Sequence, residues 1–490
     1  MPVNVLAIDQ GTSATKALVV ATDGTILGTA RVPVKPVAVA GGGVEQDPEA
    51  LWRSVVDAGR EALARAREPV AAVGLANQGE TVLAWDPATG RPLTAALSWQ
   101  DRRAQPICDR LAGCAEEIVA TTGLPLDPYF AAPKMRWLRE HVVSSGVATT
   151  TDAWLINRLC GAFVSDAATA SRTLLLDLDR VTWSARACDL FGIDPASLPA
   201  IVGSAEAVGE TAVFGASIPV AGLAVDQQAA LLAEACLETG EAKCTYGTGA
   251  FLLATVGPTA RRSRSGLAAC IAWRLGDETT YCLDGQVYAA GAALQWLAEI
   301  GLVRDAAEID ALIASQPGGA ATARHAPRTD AGGALFVAGL AGLGAPFWSA
   351  SARGALMGLS LGTSRAELAG AVIEGIAAQV AWLARAMADD LGKPLTRLRA
   401  DGGLSQSRAM MQVQADLLQA PVDVYPSPDA TALGIAAFTR LALGAASSAR
   451  QAIGELRSAA TYAPRLSADQ AEARLARWRR AVEATMTLDD

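Results

Sequence analysis

Short apolar runs separated by glycine turns open the chain. Residues 3–8 are apolar and end at Asp9, residues 17–21 form the next run, and Gln10-Gly11-Thr12-Ser13 lies between them. Two such runs around a glycine turn predict a β-hairpin, and Thr22-Asp23-Gly24-Thr25 supplies the turn that follows. The pattern then changes to helical spacing over 47–67. Leu51, Val55, Ala58 and Ala62 recur every three or four residues, with Asp47 as the N-cap and Pro48 at the first helical position. Residues 70–76 return to strand. Strands, a helix and a further strand predict a mixed α/β domain.

The same motif occurs again halfway along. Ile8-Asp9-Gln10-Gly11-Thr12-Ser13 is echoed by Thr245-Tyr246-Gly247-Thr248-Gly249-Ala250, again followed by an apolar run, 251–256. Both read as strand, Gly-Thr turn, strand, so the two halves are expected to be domains of related architecture facing one another. Residues 226–240 read as a helix closed by Gly240. The boundary is therefore expected there, giving domains 1–240 and 241–490. No charged or low-complexity linker separates them, which favours a broad hinge interface.

Composition narrows the function. With 490 residues, 51% apolar and 19% charged, the chain can bury two or three cores. Its 41 basic and 50 acidic residues leave a net charge of −9, without the basic footprint of a general nucleic-acid binder. An anionic ligand is still allowed, because backbone amides hold phosphate without net positive charge. The only histidines are His141 and His325, which excludes a three-histidine metal site. Eight cysteines with no CxxC pair read as reduced thiols, and a cytoplasmic location is expected. The longest charge-free run, 331–352, is rich in glycine and contains Pro346, so it reads as a buried turn region and not a membrane span.

Candidate chemistry follows from the turns. A tight Gly-Thr hairpin points backbone amides and a hydroxyl into one small space suited to phosphate oxygens. Asp9 beside the first hairpin adds a carboxylate that could hold magnesium through water. In Arg399-Ala400-Asp401-Gly402-Gly403-Leu404-Ser405, the paired glycines let a flat ligand approach the backbone. Polar clusters follow apolar runs at Asn77-Gln78-Gly79-Glu80-Thr81, Ser98-Trp99-Gln100-Asp101, Pro128-Tyr129-Phe130 and Val225-Asp226-Gln227-Gln228. Ligands bind at such strand ends in α/β sheets. Taken singly, Trp99 and Tyr129 read as core residues and Asp226 as a helix N-cap.

Taken together, these segments resemble the FGGY family of carbohydrate kinases, and within it the glycerol kinase branch, from Asp9 to about Gly444. IDQGTSATK and TYGTGAF resemble the family's two phosphate motifs, and LRADGGLSQS at 398–407 resembles its adenosine loop. YFAAPKMRWLREH at 129–141 resembles the first family signature except at Ala131, and GALMGLSLGTSRAELAGAVIE at 354–374 the second without departure. The resemblance implies two ribonuclease H-like domains, of the hexokinase, actin and chaperone type, closing over ATP and Mg²⁺. It implies Asp226 as catalytic base, a role for which an ordinary, already ionised aspartate suffices. Gly79, Glu80, Trp99, Tyr129, Asp226, Gln227 and Phe251 would line the polyol or sugar pocket. Thr12, Ser13, Lys16, Gly247, Thr248, Gly291 and Gln295 would surround the phosphates, with Asp9 at the metal and Gly402, Gly403 and Ser407 near adenosine.

Two departures carry consequences. Relatives acting on glycerol have arginine where this chain has Gly79, so donors are lost and space is opened. The expectation is that a four- or five-carbon polyol or ketose outperforms glycerol. Ser407 stands where asparagine is common. The expected partner is a small polyol or keto-sugar, with neither nucleic acid nor membrane insertion, and a homodimer is the assembly to look for. A tetritol or pentulose kinase is the alternative within the family. An actin- or chaperone-type ATPase is the alternative from another class, but it would leave Asp226 and both signatures without a purpose.

Overall fold

A computed structural model of the chain describes residues 3–314 and 333–487. His325, the first two residues of the apolar run and the last three of the second expected domain lie outside the described residues.

The first sheet grows from the predicted hairpin. Strand β1 (Val5–Gln10) pairs antiparallel with β2 (Ala14–Val20), and β2 with β3 (Ile26–Pro33). Helix α1 (Pro48–Ala66) begins as expected, with the Asp47 carboxylate accepting the Glu49 amide at 3.0 Å and Pro48 in the first turn. Its stripe of Leu51, Val55, Ala58 and Ala62 is fully buried. Strand β4 (Ala72–Asn77) then lies parallel to β1, and β5 (Ala207–Thr211) and β6 (Ile218–Val225) extend the sheet to the order β5-β6-β4-β1-β2-β3.

Strand β6 runs directly into helix α2 (Asp226–Ala233). That helix is shorter than the sequence predicts. It stops at Glu234, Ala235 takes a left-handed φ of 55°, and the Glu241 carboxylate then accepts the amides of Leu237 and Glu238 in a turn. A side chain seven residues away thus supplies the acceptor that another helical turn would have provided. Gly240 belongs to this turn and not to a helix end.

The second sheet repeats the first. Strands β7 (Ala242–Tyr246) and β8 (Ala250–Gly257) form an antiparallel hairpin, extended by β9 (Ala268–Leu275) and β10 (Glu278–Val287). After helices α3 (Gly291–Glu299) and α4 (Arg365–Leu391), strand β11 (Leu398–Asp401) lies parallel to β7, just as β4 lies parallel to β1. Helix α5 (Arg408–Leu418) leads to β12 (Val422–Val424), and β13 (Ala460–Tyr462) closes the order β9-β10-β8-β7-β11-β12-β13. In each sheet a hairpin is flanked by two parallel strands and then an antiparallel one. These are two ribonuclease H-like α/β domains, and the internal echo in the sequence is the repeat of this unit.

Alternation along β1 shows what each sheet face buries. Leu6 and Ile8 pack against α1, whereas Val5 and Ala7 face α2 and a helix from the far end of the chain, α6 (Ala430–Ala442). Helix α6 comes from the second half yet completes the core of the first sheet, through Ala432, Ile435, Ala436 and Phe438. Helix α4 is long and apolar enough to cross a membrane by length and composition, but most of it is buried in the second core. The described part of the charge-free run is not all turn: Phe336 and Val337 are buried in a short strand, Leu335–Val337, paired with Ala355–Met357, and Leu343 and Ala345 are buried in the turns that follow.

Candidate active site

The two hairpins face each other across a cleft containing a cavity of about 520 Å³. Its wall carries Asp9, Thr12, Ser13 and Lys16 from the first hairpin and Gly247 and Thr248 from the second. Glu80, Trp99, Tyr129, Asp226, Gln227, Phe251, Gly402 and Gly403 complete the predicted members. A second cavity of about 750 Å³ shares Gly247, Thr248 and Gly403 with the first and adds Gly291, Gln295 and Ser407. The expected phosphate and adenosine residues therefore follow one continuous groove. Gly79 alone among the expected residues is not at either wall.

One end of the first cavity is aromatic. Trp99 meets Tyr129 and Phe251 edge-on, each with centroids 5.9 Å apart, and its indole N–H donates to Thr12 Oγ1 at 2.9 Å. Gly79 sits beside this end with φ 54°, but a Cβ there would lie 2.8 Å from Val225 Cγ2. The valine side chain thus occupies the room a larger residue 79 would enter. The open space expected from Gly79 is therefore narrowed on the side of Val225, and nothing else lies within 4 Å of that Cβ.

Asp226 is the first residue of α2, where the strand-to-helix turn aims its carboxylate into the cleft. Its Oδ1 accepts the Gln227 amide at 2.7 Å. Burial raises its pKa to about 7, with the Asp9 charge adding to the rise and Lys243 opposing it. An ordinary aspartate pKa, expected from sequence, is therefore replaced by one poised near neutrality. Lys243 was not foreseen. It is a buried lysine on β7 whose ammonium donates to Gln227 Oε1 and Thr245 Oγ1, both at 2.6 Å. Burial likewise raises Glu80 to about 7 against the pull of Arg172, which lines the cavity and was also unforeseen.

Asp9 can be tested as a cation ligand. Burial raises its pKa to about 6, further increased by the charges of Asp429 and Asp401 and opposed by Lys16. A desolvated carboxylate beside other carboxylates, with room in front of it, suits a hard cation. Among the described residues no three metal-ligating side chains converge, which fits magnesium, since that ion retains waters and phosphate oxygens around one or two carboxylates.

The groove's far end has its own fit. Gly402 has φ 87° and a Cβ there would strike the Tyr246 carbonyl at 2.5 Å, so only glycine lets this loop lie against β7. A Cβ at Gly403 would meet nothing within 4 Å, which leaves a flat face open to the cavity. Ser407 caps α5 by accepting the Met410 amide and donates to Asp310 Oδ1 at 2.6 Å. Asp310, also unforeseen, lines the same cavity. A lone aspartate on an amphipathic helix gives no signal of this in sequence.

Glycine-threonine hairpins opposed across two ribonuclease H-like domains, with a carboxylate aimed between them, mark the kinase class. Models of the FGGY family of carbohydrate kinases match its N-terminal domain at residues 4–233 and its C-terminal domain at 242–443. A glycerol kinase of Aromatoleum aromaticum is 42% identical over 496 residues, covering 98% of both chains. One from Alkalilimnicola ehrlichii is 42% identical over 499 residues, covering 98% of this chain and 97% of the other. The crystal structure of Plasmodium falciparum glycerol kinase with ADP superposes with a TM-score of 0.87 at 28% identity, covering 98% of each chain. The chain belongs to the FGGY family of carbohydrate kinases, and it is an ATP-dependent phosphotransferase with an alcohol group as acceptor.

Proposed function

We propose that the enzyme phosphorylates a terminal hydroxyl of a short linear polyol of three or four carbons, glycerol first among them. The observation that carries this reading is the aromatic end of the cleft, where Trp99 packs edge-on against Tyr129 and Phe251 in the cavity that Glu80 and Asp226 also line. Val225 crowds the position beside Gly79, where a Cβ would lie 2.8 Å from its Cγ2, which favours the shorter acceptors. The glycerol kinases 42% identical over nearly the whole chain support the same acceptor.

Asp226 accepts the proton of the attacking hydroxyl as its oxygen bonds to the γ-phosphorus. The bond from that phosphorus to the bridging oxygen breaks, and ADP leaves. Gln227, held by Lys243, fixes the acceptor near the base. Thr12, Ser13, Lys16, Gly247 and Thr248 bind the phosphates, Gly291 and Gln295 border them, and Gly402, Gly403 and Ser407 hold the adenosine. Asp9 holds magnesium, which when bound neutralises charge on the phosphate oxygens. The eight free thiols fit a reducing cytoplasm.

An ADP-release assay over glycerol, erythritol, xylulose and ribulose, with the product identified by phosphorus NMR, tests the reading. The expected product is a monophosphate ester at a terminal carbon, formed fastest from glycerol or the tetritol. A fivefold preference for either ketose would overturn it.

A further inference from the structure

The guanidinium at the aromatic end of the cleft belongs to Arg172. It follows the helical turn Ala167–Ala170 and is 3% exposed. Nearly all of its donors are committed. Nε donates to Glu80 Oε1, while Nη1 pairs with Asp284 Oδ2 at 2.6 Å and reaches Cys270 Sγ at 3.5 Å. Nη2 donates to the Tyr129 hydroxyl at 3.3 Å. A guanidinium has five N–H groups, so one hydrogen on Nη2 has no partner among the described residues. Tyr129, accepting from Arg172, keeps its own O–H to give, and nothing described bonds the second Glu80 oxygen.

These three residues all line the cavity. They present two donors and an acceptor side by side, which matches adjacent hydroxyls, each able to donate and to accept. Gly79 offers no side chain for this part, and one placed there would first meet Val225, whose Cγ2 lies 2.8 Å from the Cβ position. Asp284 and Glu80 offset the burial of the guanidinium, so its charge is retained at the wall.

We propose that Arg172 is the residue that recognises the acceptor's vicinal hydroxyls in this enzyme, and that Val225 excludes residue 79 from the task. The proposal rests on the reading of this cavity as the polyol site.

The test measures kcat and KM for glycerol and erythritol, KM for ATP, and the melting temperature. Arg172→Lys retains a charge between Glu80 and Asp284 but loses the fork. It is expected to raise the polyol KM about tenfold, the loss of roughly one hydrogen bond, and to leave the ATP KM within twofold. Adding Gly79→Arg to that variant should restore nothing. Adding Gly79→Arg together with Val225→Gly should bring the KM back to within threefold of wild type. An unchanged polyol KM in Arg172→Lys, or full rescue by Gly79→Arg alone, overturns the proposal. So does a loss confined to kcat and melting temperature, which would make Arg172 a packing residue. If Arg172→Lys does not fold, the wild-type enzyme decides with 1,3-propanediol, which lacks the hydroxyl vicinal to the reacting one: a KM equal to that for glycerol would overturn the proposal. A wild-type enzyme that phosphorylates no polyol would defeat the underlying reading, whereas an active one with unmoved KM values defeats this inference alone.

Discussion

Asp226 must be ionised to take a proton, yet burial raises its pKa to about 7. The kcat/KM profile should therefore fall on the acid side with a midpoint near pH 7. Its slope should lie between one and two, because Glu80, also raised to about 7, must stay charged against Arg172. A kcat/KM midpoint below pH 5 would exclude Asp226 as a group titrating in this way. The variant Asp226→Asn should bind ATP normally and lose about 10²–10⁴-fold in turnover. It should also be more stable than wild type at pH 8. A carboxyl whose folded pKa is raised favours the fold at low pH, and that contribution is lost as pH rises through 7. Asparagine never carries the charge, so calorimetry should show a gain of about 2–8 °C at pH 8 that vanishes at pH 4 and below. Of this residue, the position after an apolar strand was legible in the sequence, and taken singly it reads as a helix N-cap; the base role proposed for it comes from the family resemblance. The pKa was not legible, because it arises from burial in the folded cleft, with the Asp9 charge, 217 positions away, adding to the rise and Lys243, 17 positions away, opposing it. Arg172 was invisible for the same reason: its partners Glu80, Tyr129 and Asp284 converge only in the fold.

At the scale of elements, what was legible was whatever rests on local spacing. Helix α1 could be read from its cap, its proline and its apolar stripe, and both hairpins from their glycine turns. The end of α2 could not, since a tertiary contact from Glu241 and not a local stop signal sets it. The crossing of α6 over α2 gave no sequence signal either. At this crossing Gly434 lies so close to α2 that a Cβ would sit 1.9 Å from the Ala229 carbonyl oxygen. Gly434→Ala must push the helices apart, and overpacking of this kind costs about 1–3 kcal/mol. Because α2 starts with Asp226, the displacement should also reach the base. Turnover should drop more than ATP affinity does, as steady-state kinetics and nucleotide titration will show. Turnover and melting temperature both at wild-type values would mean that the crossing relaxes without moving α2.

For the molecule as a whole, the cleft must shut around ATP and acceptor to keep water from the γ-phosphate. Small-angle scattering should give a smaller radius of gyration with a non-hydrolysable ATP analogue and glycerol together than with either alone. Equal radii in all three states would argue against closure about the segment near Gly240. The expectation of two facing domains came from a six-residue echo, and both sheets carry the same strand order around it.

That halves of the sequence are not halves of the structure has a consequence for how the chain is made. The first sheet receives one of its covering helices, α6, only from Ala430–Ala442. As the protein leaves the ribosome, the first 240 residues wait with an apolar face bare until some two hundred more have emerged. The first domain to be translated is therefore among the last to finish folding. Nascent chains stalled before residue 430 should be cut readily by protease within the first sheet, and chains released beyond residue 460 should resist.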